Sequence, residues 1–295
     1  MKCIGKVRGS DMKLIDFSNA KEVYIKYGGA GKKKTLILDG IQYLVKFQNP
    51  VRKKGKNIQV SYVNSVYSEY IGSKIFASLG IPTQEVILGK YNDKIVCACK
   101  DFMVEKNRSL GDAILDPYVG QAKLIEFEEW SKANELDNTL TMDITSIYES
   151  LEKVFTTVPK NTNIEQIKNK FWEMFVVDFF IGNTDRHNNN WGFIYYEGQL
   201  DTYFVNMEFA PIFDCGSCLT PTLTDKQMEE ILKEQGELNN YVKNFYVWNN
   251  FGKRNLYLNF QKKNGKACVC AVANVALQKC QKKATCCFIL KFAMV

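Results

Sequence analysis

Histidine is almost missing from this chain: His187 is the only copy in 295 residues. Five of the ten cysteines (Cys268, Cys270, Cys280, Cys286 and Cys287) fall after residue 267, with no histidine near them and no paired CxxC spacing. A structural zinc site needs one or the other, so these read as free thiols of a reducing compartment. Acidic residues are absent from Gln261 to Val295, which holds seven lysines. That tail accounts for the whole formal charge of +7, leaving 32 basic and 32 acidic residues in 1–260. A nucleic-acid reading from net charge alone is therefore disfavoured. No apolar leader opens the chain, because MKCIGKVRGSDMKLIDF carries Lys, Arg and Asp where a signal peptide needs an apolar stretch. The late apolar run ATCCFILKFAMV is broken by Lys291 and is too short to insert in a membrane. No internal repeat is visible.

What is present suits one large domain or two modest lobes: 46% hydrophobic residues, enough for a real core. Charge is uneven, 14 basic against 4 acidic residues in 1–60 and 18 against 28 in 61–260. That split fits two parts with different ligands, a polyanion and metal ions, or solvated faces of unequal sign. EVYIKY, KTLIL and IQYLVKF read as strands, with GGAG after the first and the hairpin signal Asp39-Gly40 between the others. In the last strand Ile41, Tyr43, Val45 and Phe47 share one face, and Gln42, Leu44 and Lys46 the other. A helix is expected from Val63 to Leu79, ended by Gly80 and Pro82 and carrying Glu69. EVILGKY and KIVCACKDF form a strand pair joined at Asn92-Asp93. The stretch to about residue 163 should be mostly helical, and a strong helix over Ile164 to Ile181 delivers the chain to IGNTDRHNNNWGF.

Moving a phosphoryl group from a nucleotide takes few covalent steps. The protein supplies a Gly-rich cover for the phosphates, a lysine on them, an acid orienting that lysine, a base for the acceptor hydroxyl and oxygen ligands for magnesium. Each has a candidate, in order. Gly28, Gly29 and Gly31 let backbone N–H groups approach an anion, although such a loop alone is often only a turn. Lys46 and Glu69 follow on strand and helix; singly, each reads equally as a surface charge. Asp185 and Asn190 reproduce the D-x(4)-N spacing of a catalytic base and a metal ligand on one loop, against the alternative of an Asx turn. Asp214, in APIFDCGS, sits at a strand exit between apolar residues, where a divalent cation would balance it. Asp178, seven residues before Asp185, reads as a scaffold group bonding loop backbone.

DRHNNN, PIFDCG and LVKF together resemble the HipA-like serine/threonine kinases, and most closely their cell-translocating, pro-inflammatory bacterial type. GGAG, SEY, VCACKDF and GNTDRHNNNWGF add to the likeness, which spans about Met12 to Leu219. The resemblance implies an α+β, two-lobed protein-kinase-like fold. Its small antiparallel β-rich N-lobe (12–99) would carry one helix of the αC type, followed by a mainly helical C-lobe (100–260). Residues 1–11 then read as an extension and 261–295 as an atypical tail that leaves the large lobe incomplete. It implies ATP and Mg2+ as cofactors and a protein with a Ser or Thr hydroxyl as substrate, the chain itself included. By position, Lys46 would hold the α/β-phosphates and Glu69 would orient it. Asp185 would be the base, and Asn190 with Asp214 would bind magnesium. His187 would face the γ-phosphate, or else hold the loop as a neutral hydrogen-bonded ring. Val96 to Phe102, Cys99 among them, would form the adenine-binding hinge. Ser217, Thr220, Thr222 and Thr224 would offer hydroxyls in an activation segment. A phosphoinositide-type lipid kinase, which shares DRHNxN, and a nucleotide-binding module without turnover stay open. DNA contact through Arg52 to Lys56 (RKKGK) is disfavoured against a solvated loop. The lack of a leader implies cytoplasmic synthesis, and the resemblance implies delivery outside the bacterium.

Overall fold

The computed structural model describes residues 14–25, 31–50, 63–112, 119–134, 147, 150–151, 163–183, 185–198, 204–219 and 221–233. A six-stranded sheet forms from β1 (Ile15–Asp16), β2 (Lys21–Val23), β3 (Lys33–Leu38), β4 (Ile41–Phe47), β5 (Val86–Tyr91) and β6 (Lys94–Lys100). Their order across it is β1-β5-β6-β4-β3-β2. Local chemistry sets two of its hairpins. Asp39 and Gly40 both take positive φ (50° and 76°), as do Asn92 and Asp93 (45° and 62°), the backbone twist that matches paired strands. Leu38 therefore faces Ile41 and Tyr91 faces Lys94.

The expected strand EVYIKY is shorter than its sequence pattern, closing at Val23, with Tyr24 and Ile25 exposed. The sheet is also not antiparallel throughout, because β1 runs parallel to β5. Gly89 permits this: a Cβ there would meet the Ile15 carbonyl at 2.6 Å and the Phe17 ring at 2.7 Å. The bare backbone lets the edge strand close in and bury Phe17 edge-on against Tyr43, centroids 5.3 Å apart.

Alternation along β4 sends Tyr43, Val45 and Phe47 to one buried face, with Leu36, Val96 and Ala98. The opposite face carries Leu44, Cys97, Cys99, Val86 and Leu88, and it packs on α1 (Ser65–Ser78) through Val66 and Tyr70. Gly80 (φ 72°) ends that helix by donating to the Ala77 carbonyl at 3.0 Å, while Ile81 donates to Phe76 at 3.2 Å. The chain then runs beside a later segment: Ile212 N–H donates to the Pro82 carbonyl and Gln84 N–H to the Ile212 carbonyl, both at 2.8 Å. This crossing brings Asp214 under the first sheet.

Past the hinge stretch lie α2 (Phe102–Asp112), β7 (Val119–Glu126), α3 (Phe127–Ala133), α4 (Ile164–Ile181), β8 (Gly192–Gly198), β9 (Phe204–Phe209) and α5 (Asp225–Lys233). The helix over Ile164 to Ile181 forms as its spacing requires. The expectation of a mostly helical region up to residue 163 and a mainly helical later part is corrected here. β7, β8 and β9 make a three-stranded antiparallel sheet, order β7-β8-β9. Its pairing joins β7 to β8 across a long stretch of chain, which local periodicity does not report.

The largest core lies between that sheet and α4, around Phe127, Trp130, Phe171, Phe175, Trp191 and Phe193. Trp191 stacks on Phe127 (4.2 Å, 14°) and Phe209 (5.8 Å, 18°), anchoring the end of the polar loop that precedes it. Trp191→Ala should cost about 3–5 kcal/mol through lost burial and a cavity. A urea titration showing a lowered midpoint checks this; an unshifted midpoint contradicts it.

Candidate active site

Lys46 lies near the end of β4 on the face that meets α1, and Glu69 lies on the helix surface turned toward it. The Lys46 ammonium donates to Glu69 Oε2 at 2.8 Å and to Asp214 Oδ1 at 2.9 Å. Glu69 is wholly buried, so its carboxylate needs partners inside the protein; its other oxygen accepts the Cys215 N–H at 3.1 Å. Burial pushes the Lys46 ammonium down, yet the carboxylates of Asp214 and Glu69 outweigh it and hold the group well above the ordinary lysine value. Burial likewise pushes Asp214 up, and Lys46, aided by Arg186 and His187, brings it below the ordinary carboxylate value. Both stay charged at neutral pH. Asp214 keeps 43% of its side chain exposed and adopts a left-handed backbone, φ 57°. A non-glycine residue accepts that conformation at a cost, which the surrounding bonds offset.

Two glycines bring the Asp214 loop onto α1. A Cβ at Gly72 would meet Cys218 Sγ at 2.7 Å, and one at Gly216 would meet Glu69 Oε2 at 3.1 Å. Cys215 and Cys218 are buried there, and burial raises both thiols, Cys215 to about 12. They are inert packing groups.

The loop after α4 is organised by Arg186, which is almost completely buried. Its Nε donates to Asp178 Oδ2 at 2.7 Å and its Nη2 to Oδ1 at 3.2 Å, a two-pronged pair. Nη1 donates to the carbonyls of Asn190 and Phe213, each at 2.5 Å. One guanidinium thus ties the loop of Asp185 and Asn190 to the residue before Asp214. Asp178 is a scaffold group as expected, but its carboxylate takes the Arg186 side chain and the Asn183 amide (2.8 Å) rather than loop backbone. The Ser217 hydroxyl accepts the Asp185 N–H at 3.1 Å and donates to Asn183 Oδ1 at 2.5 Å.

Within the loop, Asn190 Nδ2 donates to the Asp185 carbonyl at 2.8 Å, which leaves the amide oxygen as a ligand atom. That oxygen and the Asp214 carboxylate are hard donors of the kind magnesium takes, and the Lys46 ammonium already occupies one Asp214 oxygen as a cation. Among the described residues no cluster of three or more His, Cys, Asp or Glu is set to hold a metal, so a cation here would also need oxygens from its substrate. His187 Nδ1 accepts the Asn189 N–H at 3.2 Å, which places the ring proton on Nε2. The loop-holding role is therefore met by one ring nitrogen, and the other is left as a donor.

The structure brings Lys46, Glu69 and Asp214 into direct contact, and it joins Asp185 and Asn190 to them through Arg186 and Ser217. Gly31 opens β3 with room around it, while Gly28 and Gly29 lie outside the described residues. So do Arg52 to Lys56, Thr220, the tail cysteines and the first eleven residues. Cys99 differs from expectation: it is fully buried between Leu44 and Val86 in the sheet ladder, so its backbone has no open edge. The chain leaves the sheet at Asp101, which accepts the Met103 and Val104 N–H groups and starts α2. Ser217 is buried as a loop clamp and not presented as an activation-segment hydroxyl. Thr222 is exposed, and Thr224 caps α5 by exchanging bonds with Gln227. Sequence reasoning missed Arg186, Asn183 and Ser217. The signal for Arg186 was available: an aspartate inside an apolar helix requires a cation, and Arg186 follows eight residues later.

A family model of the HipA-like C-terminal domain matches residues 25–281, running past Leu219 into the tail. The chain is 34% identical over 254 residues to the serine/threonine-protein kinase CtkA of Helicobacter pylori (strain J99), covering 84% of this chain and 70% of that protein. Its fold is similar to the crystal structure of the Helicobacter pylori pro-inflammatory kinase CtkA, with a TM-score of 0.62 at 29% identity over 94% of this chain and 86% of that one. A likeness to Shewanella oneidensis MR-1 HipA, solved with HipB and operator DNA, has a TM-score of 0.38 at 11% identity and carries no argument. The architecture is thus a mixed α/β, kinase-like one, and the chain belongs to the HipA-like family.

Arg186→Met should destabilise the protein by about 3–5 kcal/mol, because Asp178 is left charged and buried without its partner. Adding Asp178→Leu should recover part of that loss. A double-mutant cycle by chemical denaturation reads the coupling, and additive losses would contradict it.

Proposed function

We propose that this chain is an ATP- and magnesium-dependent serine/threonine protein kinase that also phosphorylates itself. The observation that carries the reading is the Lys46 ammonium held between buried Glu69 and Asp214, two carboxylates far apart in sequence. Similarity to a protein named as a serine/threonine kinase supports the substrate class. In this reading residues 12–99 form a small lobe above the nucleotide and 100–260 a large lobe below it.

Lys46 holds the α/β-phosphates, and Glu69 fixes the direction of its amine. Asn190 and Asp214 supply oxygen ligands for magnesium, which when bound neutralises charge on the phosphates. Asp185 accepts the proton of the acceptor hydroxyl as its oxygen bonds to the γ-phosphorus; the bond to the β-phosphate oxygen breaks and its electrons leave with ADP. His187 offers Nε2–H to a γ-phosphate oxygen. Among the described residues no helix is long and apolar enough to cross a membrane, and the acceptor is a protein.

Purified protein incubated with γ-labelled ATP and magnesium should incorporate label on Ser or Thr, located by mapping the modified residue. Asp185→Asn should bind ATP with unchanged affinity and lose at least about a hundredfold in transfer, as removal of a general base does. Equal labelling of the variant would sink the assignment. Nucleotide binding without any transfer by the wild type would point to a binding module instead.

A further inference from the structure

Lys33 is the second residue past Gly31 and opens β3, on the strand that leaves the Gly-rich loop. It pairs in register with Lys46 across the β3–β4 ladder. The next pair, Lys32 and Phe47, is hydrogen-bonded, Phe47 N–H donating to the Lys32 carbonyl at 3.0 Å. Lys33 and Lys46 are therefore a non-hydrogen-bonded pair, with Cα atoms about 4.5 Å apart and side chains at their closest on a shared face. Like charges placed so destabilise a sheet.

Nearby lysines have partners. Lys34 pairs with Glu22 (2.6 Å), Lys90 with Asp16 (3.0 Å) and Lys100 with Glu105 (2.6 Å), and Lys32 lies over the Phe47 ring (5.4 Å). Lys46 has Glu69 and Asp214. Among the described residues Lys33 has no carboxylate within ion-pair distance, although it is half-buried. Burial first, and the Lys46 charge second, push its ammonium below the ordinary lysine value, with Asp214 opposing. The same three groups therefore feel one another at the mouth of the Gly-rich loop.

We propose that Lys33 is a second phosphate-binding lysine of this site, meeting the polyphosphate of a nucleoside triphosphate from the Gly-rich side while Lys46 meets it from the sheet. This inference rests on the nucleotide-binding reading above and deepens it: the site selects a polyphosphate over a bare nucleoside. An anion between the two ammonium groups removes their repulsion and supplies the partner that Lys33 lacks. Lys33 contributes binding and not proton transfer.

The test is calorimetric titration of wild type, Lys33→Met and Lys33→Arg with ATP plus magnesium and, separately, with adenosine. Unfolding of each protein without ligand is measured beside it. Lys33→Met should weaken ATP binding about tenfold or more, the loss of one charge-assisted contact. It should leave adenosine affinity unchanged and the unliganded protein at least as stable, because a repulsion is relieved. Lys33→Arg should restore most of the ATP affinity. Equal ATP affinity in Lys33→Met overturns the inference, and so does a parallel loss for ATP and adenosine, which a merely structural lysine would produce. Wild type that binds neither ligand overturns the nucleotide reading itself, whereas wild type that binds ATP beside an indifferent Lys33→Met overturns only the role of Lys33.

Discussion

The Lys46 ammonium, shared by Glu69 and Asp214, is the contact on which the rest of the site depends. Glu69 is fully buried, and a charged carboxylate in that position is tolerable only if it is paired. Pairing it fixes α1 against β4, and the second bond fixes the Asp214 loop against both. The two contacts close loops of 23 and 168 residues, so a few side chains hold together parts of the chain that local structure leaves independent. Gly72 and Gly216 matter because they let the loop come close enough for this, and the left-handed Asp214 backbone is the strain that the arrangement retains.

Arg186 makes the second tie. It satisfies Asp178 inside α4 and spends its remaining donors on the carbonyls of Asn190 and Phe213, so the polar loop and the Asp214 loop move as one unit. Trp191, stacked between Phe127 and Phe209, pins the far end of the same loop into the largest core. Catalytic groups that must stand within a fraction of an ångström of a reacting centre need such support from below. Here a buried ion pair and an aromatic stack provide it, while Lys46 provides it from above.

Much of this was legible in the sequence where the signal is local. The Asp-Gly and Asn-Asp turns, the alternation of IQYLVKF and the helix over Ile164 to Ile181 each follow from a few neighbouring residues. Lys46, Glu69, Asp185, Asn190 and Asp214 were found because their spacing and order carry chemistry that no one of them carries alone. The sheet of β7, β8 and β9 was not legible, since VGQAKLIE alternates poorly and its partner GFIYYEG lies far along the chain. Arg186 was hidden by its company: in a polar run an arginine looks solvated, and only the fold shows that it is buried. Cys99 looked like an edge residue, and the pairing of β6 on both sides makes it interior.

The most direct measurement of the central claim is thermal unfolding of wild type and Lys46→Met, each with and without excess ATP and magnesium. Far-UV circular dichroism serves as the check that the variant is folded. If Lys46 holds the triphosphate, ligand at about a hundred times its dissociation constant stabilises the wild type by about 2.7 kcal/mol, and the variant shows little or none of that rise. A variant stabilised as much as the wild type, or a wild type indifferent to nucleotide, would contradict the account.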